Sequence, residues 1–444
     1  MHKLILLLLT LLSCHPVNAQ RAVPPELEAH LKRYFNDKEA QARSLVRLEN
    51  QEQAPEMWEF FKAGNAGDWK SVGGIYRTLS SRAYQYEGTQ KDKRLEVMAW
   101  QPLNECFGAY DQFSHMAEEY VQIFGHEIIG SIPKGSIYFG GTDPGRWIVT
   151  AFCKSHPKAD PCFVLTQNAL ADGLYLKYLR AMYGDRIHVA SEDDSKKAYD
   201  AYIAEVSVRD KEGKLKPGEN VKKVNGKYQV SGQVAVMAVN AGIARTIFEA
   251  NPDREFFIEE SFPLDWMYPY LSPHGFIMKI NREAPAELSR EIVRKDRDHW
   301  IWFGDRALGA WLTPETPVQA VCEFAAKVFG AAEYGEYQPD ERFVRNAHAC
   351  KTYSKLRSSI AGVYAWRWRN AKGEEKQRMA KEADFAFRQA FALCPYSPEA
   401  LFRYVNLLKE MGRKKDALLI AQTAEPLDPR NTRIATLVQE LEEP

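Results

Sequence analysis

The residues best suited to chemistry lie in a glycine-rich turn that joins an apolar strand to a helix. The strand at 136–139 runs into the turn at 140–145, which Arg146 closes. A helix that starts after such a turn offers unbonded backbone N–H groups to an anion or a polar ligand. Thr142 and Asp143 add a hydroxyl and a carboxylate, so the turn suits a sugar hydroxyl or a phosphate.

Two amide side chains, Gln167 and Asn168, follow the next predicted strand at 161–166. Because ligands bind at the carboxyl ends of parallel strands, we expect these amides to lie beside the first turn. A structural alternative stays open, in which Asp143 is the N-cap of the helix, Pro144 takes its first position, and the second loop caps the following helix. The predicted ligand-binding residues are Gly141, Thr142, Asp143, Arg146, Gln167 and Asn168.

Recognised catalytic motifs are missing from this sequence. The turn lacks the Lys-Ser/Thr pair of a P-loop and the G-x-G-x-x-G of a dinucleotide site. His126-Glu127 lacks the second histidine of a zinc protease, and no G-x-S-x-G elbow occurs. Glu259 and Glu260 are adjacent, so in a strand they point to opposite faces and cannot act as one acid–base pair. The sequence therefore identifies no catalytic residue and predicts no cofactor and no bound metal.

The elements around these residues predict an α/β protein with helical flanks. Residues 20–129 carry helical patterns, including one long helix at about 106–124. Apolar strands alternate with helices across 130–312, which predicts a Rossmann-like, mostly parallel sheet covered on both faces. Asn225-Gly226 predicts the turn of a hairpin at 221–230. Further strands are expected at 186–190, 255–258 and 275–280.

Residues 313–444 are helical again and contain a repeat pattern. The segment 397–431 matches the tetratricopeptide pattern, with Gly412 at its turn. Residues 382–395 match the second helix of a preceding repeat, whose first helix is expected near 358–366. Stacked repeats form a superhelical surface, so we expect this region to bind a protein partner. The matching positions in the segment at 397–431 are Leu401, Tyr404, Leu408, Ala417, Ala421 and Ala424.

The charge balance argues against one class of partner. Lysine plus arginine and aspartate plus glutamate both number 59, so the formal net charge is zero. Nucleic-acid binding usually requires a strongly basic surface, so we expect no nucleic-acid partner.

The first 19 residues predict an export signal. A basic start precedes the apolar run at 4–12, which is too short to span a bilayer. Val17-Asn18-Ala19 suits cleavage by signal peptidase, whereas the stretch ending in Cys14 resembles a lipobox, which would place a lipid on that cysteine. Both alternatives predict an exported protein of the periplasm or cell envelope, and only lipidation would attach it to a membrane.

One cysteine pair stands out for its spacing. Cys153 and Cys162 have eight residues between them, and export would permit a disulfide. Free buried thiols are the first alternative. A zinc site is the second, since His156 would add a third ligand, but a closed zinc site requires four.

Four segments follow one another in a characteristic order: GSIYFGGTDPGR, FVLTQNALAD, ARTIFEANPDREFFIEE and PYLSPHGFIMKI. Their order resembles the soluble C-terminal region of bacterial multi-pass membrane proteins of the protein O-mannosyltransferase-like class. The likeness covers about 130–285, with the repeats extending it to the C-terminus. In that family the transmembrane part carries the glycosyl-transfer chemistry, and this sequence shows no such part, so no catalytic residue carries over. The resemblance implies an α/β domain with helical repeats and a special role for the loop at 141–143.

Three functional hypotheses follow. The first is an exported, non-catalytic protein whose α/β domain binds a polar ligand or glycan and whose repeats bind a protein partner. The second is a glycan-directed transferase or hydrolase, acting on a glycan or nucleotide-sugar, with its site near Asp143, Asn168 and Glu259. The third is a structural scaffold without a functional pocket.

Overall fold

The computed structural model describes residues 23–85, 89–154 and 161–443, and the chain divides into two compact units. The first unit comprises the described residues up to Ser114 together with Lys134–Arg254. The second comprises His115–Pro133 and the described residues from Glu255 onward. The predicted export signal and Cys14 lie outside the described residues. The chain is mostly helical, at 67%, as expected for strands flanked by two helical regions.

The first unit begins with four helices and continues with strands and helices in alternation. Its strands are β1 (Ser136–Gly140), β2 (Cys162–Thr166), β3 (Asn220–Val224) and β4 (Lys227–Ser231). Its helices are α1 (Pro25–Glu49), α2 (Glu56–Ala66), α3 (Trp69–Tyr84), α4 (Trp100–His115), α6 (Asp143–Lys154), α7 (Gly173–Tyr183), α8 (Glu192–Lys211) and α9 (Gln233–Ala250). Helix α5 (Glu118–Ser131) lies between α4 and β1 in the sequence but belongs to the second unit.

The single long helix predicted at 106–124 is wrong. Helix α4 ends at His115, Ala117 has an extended ψ of 135°, and α5 starts at the next residue. Glu118 and Glu119 occupy the first turn of α5. Acidic side chains there interact favourably with the positive end of the helix dipole, so a new helix start competes with continuation of α4.

The strands β1 and β2 are parallel and carry the predicted site at their carboxyl ends. Their register places Ser136 opposite Cys162 and Gly140 opposite Thr166, and every residue of both strands is buried. Helix α6 connects them and packs on both. Continuous apolar runs in these strands agree with a sheet covered on both faces.

The strand predicted at 186–190 does not form. Instead, the backbone N–H of His188 donates to Oδ1 of Asn251 at 2.8 Å, and its carbonyl accepts from Nδ2 of the same side chain at 3.0 Å. The amide of Asn251 thus takes the place of a neighbouring strand, because it satisfies both backbone groups of His188.

The predicted hairpin is confirmed as β3 and β4, which pair antiparallel. Asn225 and Gly226 make the turn with φ of 51° and 75°. Positive φ at both central residues is what a type I′ turn requires, which is why Asn-Gly favours it.

The second unit contains three strands and a long series of helices. Its strands are β5 (Phe256–Glu259), β6 (Leu271–His274) and β7 (Ile277–Ile280). Besides α5, its helices are α10 (Arg290–Leu308), α11 (Val318–Phe324), α12 (Glu341–Val344), α13 (Ala347–Asn370), α14 (Gly373–Leu393), α15 (Pro398–Glu410), α16 (Lys414–Ala424) and α17 (Thr432–Glu442).

The strands of the second unit are antiparallel, so strand pairing in the molecule is mixed. β7 pairs with β5 on one side and with β6 on the other. Sequence patterning did not predict β6, whose tight connection to β7 turns on Gly275 with φ of 60°. Pro273 inside β6 hides the strand pattern, since proline removes one backbone donor.

Helices α13 to α16 form two successive helix pairs. α13 packs on α14 and α15 packs on α16, and α13 also contacts α15. The turn between α15 and α16 falls on Gly412 at φ 73°. Leu401 and Tyr404 are fully buried, as predicted, and Ala417 lies in the core beside them. Within the described residues, no helix combines the length and apolar character needed to cross a bilayer.

Candidate functional site

The glycine-rich turn is built around the start of α6, and Thr142 is its N-cap. The helix begins at Asp143, one residue earlier than the structural alternative assumed. The Thr142 hydroxyl accepts from the backbone N–H of Gly145 at 3.2 Å, and its carbonyl accepts from Arg146 N–H at 3.0 Å. The proposed N-cap role of Asp143 and first-position role of Pro144 are therefore wrong, because Thr142 already satisfies the helix end.

The strand end lies very close to the helix start. A Cβ on Gly140 would lie 2.9 Å from the Cα of Arg146, so only glycine fits there. The Tyr138 hydroxyl donates to the carbonyl of Gly145 at 2.9 Å. Gly140 therefore serves a close approach of backbone to backbone.

Arg146 is buried and bound within the turn. Its Nε donates to Oδ1 of Asp143 at 3.1 Å, and Nη2 contacts the same oxygen. The guanidinium also lies 4.3 Å from the ring of Trp147. The Asp143 carboxylate itself is half exposed, with 51% of its side-chain area accessible. This pair closes the turn on itself, which favours a structural role for Arg146.

The two predicted loops do meet, as expected from the parallel strands. Nδ2 of Asn168 donates to the carbonyl of Gly141 at 2.9 Å. The Asn168 carbonyl accepts from Nδ2 of Asn240 at 3.1 Å, and Oδ1 of Asn240 accepts from Ala171 N–H at 2.6 Å. Asn240 lies on α9, and no local sequence signal links it to these loops. The amide of Asn168 therefore ties the two turns together.

Two further predicted site residues, Gln167 and Glu259, are buried. Gln167 is fully buried, at 0% exposure, and its Nε2 donates to Asn168 Oδ1 at 3.4 Å. Glu259, proposed for an enzyme site, belongs to the second unit and is 1% exposed. Among the six predicted ligand-binding residues, Asp143 is exposed, Thr142 and Asn168 are partly exposed, and the other three are buried.

A second candidate site is a groove on the helix pairs of the second unit, referred to below as the α13–α15 groove. Its volume is about 450 Å³. Four residues of α13 at positions i, i+3, i+4 and i+7 form one wall, so they share one helix face. Four residues of α15, at positions i, i+3, i+6 and i+7, form the other wall. The lining residues are Tyr268, Gly362, Ala365, Trp366, Arg369, Phe387, Arg403, Asn406, Lys409 and Glu410.

Arg403 is one of three cations that line this groove. Its Nη1 donates to the carbonyl of Ser261 at 2.8 Å, and the guanidinium lies 4.9 Å from the ring of Phe262. Burial lowers the pKa of Arg403 from its ordinary value. A Cβ on Gly362 would lie 1.8 Å from Arg403 Nη2, so this glycine makes room for the guanidinium.

The groove carries an excess of positive charge. Arg369 on α13 forms a bidentate ion pair with Glu410 on α15, with N–O distances of 2.7 and 3.0 Å. Arg403 and Lys409 add two further cations to the lining. Lys409 is exposed and has no ion-pair partner among residues 23–85, 89–154 and 161–443. The lining therefore has more cationic than anionic side chains.

Two aromatic rings form an apolar part of the lining. Trp366 and Tyr268 stack with their centroids 6.1 Å apart, and both remain partly exposed. Burial raises the pKa of the Tyr268 hydroxyl. Flat, partly exposed rings beside cations are the composition that protein-binding surfaces favour.

Sequence reasoning identified the helices of this groove but not its residues. The matched repeat positions on α15, such as Leu401 and Tyr404, are those that pack inward. The outward face of α13 could have been found from its spacing, because Gly362, Trp366 and Arg369 follow a helical period.

No protein-family model matches this chain, and neither a curated protein nor a solved structure matches it.

Proposed function

We propose that this chain binds a protein partner in the α13–α15 groove. The observation that carries the proposal is the lining, in which stacked rings and three cations surround an open volume of about 450 Å³. Aromatic and arginine side chains dominate the binding energy of known protein interfaces. The proposal agrees with the tetratricopeptide pattern of α15 and α16, in which stacked helix pairs expose a binding surface.

The charge of the groove indicates the chemistry of the partner. Arg369, Arg403 and Lys409 outnumber Glu410, the single acidic residue of the lining. Opposite charges across an interface raise association rates and select partners. We infer that the bound segment carries carboxylates next to an apolar or aromatic side chain.

We propose that the protein performs this function after export, in the periplasm or cell envelope. That part of the proposal rests on the leader-like sequence at 1–19, with Cys14 as the point of membrane attachment if it is lipidated. The α/β part of the proposal, a Rossmann-like domain, rests on the parallel pair β1 and β2 joined by α6.

The polar-ligand or glycan function of the glycine-rich turn has weaker support than the groove. Arg146 binds Asp143, and Asn168 binds the Gly141 carbonyl, so these side chains are already engaged within the chain. An enzymatic function on a glycan would use Asp143 and Asn168 of the same loops together with Glu259, which is 1% exposed. We therefore place partner binding first.

Selection of peptides from a displayed random library on the full chain tests the proposal. We expect acidic peptides with an aromatic or aliphatic residue, and we expect Trp366→Ala and Arg403→Met each to weaken their binding at least tenfold. The matched controls are Trp302→Ala, an exposed tryptophan on α10, and Arg294→Met, an exposed arginine on the same helix. The proposal fails if the control variants lose binding as much as the groove variants do, or if the selected peptides show no preference for acidic residues.

A further inference from the structure

Two buried thiols of the first unit lie side by side. The Sγ atoms of Cys153 and Cys162 are 3.6 Å apart, and the two residues are 1% and 3% exposed. Cys153 is near the end of α6, and Cys162 is the first residue of β2. The fold thus brings together two cysteines at the two ends of the connection from α6 to β2.

The surroundings fit a covalent bond better than a metal. A zinc site would need two further ligands of suitable type. Within the described ranges, no group of three or more His, Cys, Asp or Glu residues could hold a metal ion, and His156 lies outside those ranges. The Cys350 thiol, by contrast, donates to the carbonyl of Phe343 at 3.1 Å.

We propose that Cys153 and Cys162 form an intramolecular disulfide, independent of the proposed partner-binding function. The bond would clamp the C-terminal end of α6 to the start of β2. Its sulfur–sulfur distance would be about 2.0 Å, compared with 3.6 Å in the observed contact. The clamp would hold the strand–helix–strand segment that carries the glycine-rich turn.

The oxidation balances with a disulfide compound as the oxidant. One cysteine thiolate attacks a sulfur of that compound, forms a mixed disulfide and releases one thiol. The second cysteine thiolate then attacks the sulfur of the first cysteine and releases the second thiol. Overall, the two protein thiols lose two electrons and two protons, and the oxidant becomes two thiols. Because both sulfurs are buried in the folded chain, the reaction belongs to the folding stage.

Oxidative refolding of the full chain tests this proposal. The reduced, unfolded protein is refolded with oxidised glutathione, remaining thiols are blocked with N-ethylmaleimide, and tryptic peptides are analysed by mass spectrometry. We expect a linked pair of peptides that contain Cys153 and Cys162, which separates on reduction. Lys154 and Lys158 provide cleavage sites between the two cysteines, so the linked peptides are distinguishable from an uncleaved loop.

A thermal measurement provides a second readout. Reduction should lower the melting temperature of the oxidised protein by about 5 °C or more, because a short closed loop restricts the unfolded chain. The double variant Cys153→Ser with Cys162→Ser should show no such shift, whereas Cys322→Ser should keep it. Recovery of both cysteines as maleimide adducts after oxidative refolding, or their linkage to other cysteines, would overturn the proposal whether or not the variants fold.

Discussion

The side chains of the glycine-rich turn act mainly on their own backbone. Thr142 caps α6, Arg146 binds Asp143, and Asn168 holds the Gly141 carbonyl. Each of these polar groups satisfies a backbone atom or a charge that the turn would otherwise leave exposed. The polar side chains of the turn are therefore explained by their structural role at the start of α6.

The Thr142 cap gives a test at the scale of one residue. Thr142→Ala removes the acceptor for Gly145 N–H and should lower the free energy of unfolding by about 1 kcal/mol. Thr142→Ser keeps the hydroxyl and should retain most of that stability. Denaturant unfolding of the three proteins checks this, and equal midpoints for the alanine and serine variants would contradict the cap.

His299 gives a second residue-scale test, through pH. Burial lowers its pKa from 6.5 to about 4; Arg357 and His274 act in the same direction, while Asp296 opposes them. Between pH 6.5 and 4 the unfolded chain binds the proton more readily than the folded chain does. The contribution of His299 to the free energy of unfolding is therefore fully present above pH 6.5. The free energy of unfolding should fall by roughly 3 kcal/mol as the pH approaches 4.

The control for this pH dependence is His299→Gln, which removes the titrating ring. Unfolding free energies of both proteins are measured across the same pH range. The variant should lose less stability on acidification than the unmodified chain, and identical slopes would contradict a depressed pKa at His299.

At the scale of elements, the α13–α15 groove depends on a glycine in the middle of a helix. Gly362 has no side chain where Arg403 Nη2 lies, so the guanidinium can occupy the groove. Glycine inside a helix costs about 1 kcal/mol relative to alanine. Glycine at this α13 position avoids the contact that a Cβ would make with Arg403.

Gly362→Ala separates groove geometry from groove charge. The new Cβ should displace the Arg403 guanidinium and weaken peptide binding at least tenfold, without removing any charged group. The matched control is Gly304→Ala on α10, where a Cβ would have nothing within 4 Å. Isothermal titration with a selected peptide checks both variants, and unchanged affinity for Gly362→Ala would show that the position of Arg403 does not matter.

At the scale of the whole molecule, local sequence signals predicted helices and strands better than they predicted the long-range contacts between them. The Asn225-Gly226 hairpin and the strands at 136–139 and 161–166 were predictable, because turn chemistry and apolar runs are local. Asn251 replaces a strand at His188 through a contact 63 residues away, which no local pattern reveals. The same holds for Asn240 at the glycine-rich turn.

The candidate site shows the same division. Sequence spacing located the glycine-rich turn and brought Asn168 to it, yet it could not show that these side chains bind each other. It also located the helix pairs but not the groove, because the repeat pattern marks inward-packing residues. The groove arises where α13, α15 and Tyr268 meet, and that meeting is a property of the folded unit.

Site-specific photocrosslinking tests the groove most directly. Asn406 is exposed in the lining, so a benzophenone amino acid placed there should crosslink a selected acidic peptide. The same amino acid at Arg294, an exposed position on α10 outside the lining, should not. Crosslinking at Asn406 that excess unlabelled peptide abolishes is the predicted result. Crosslinking at Arg294 alone, or equal yields at both positions, would contradict binding in the α13–α15 groove.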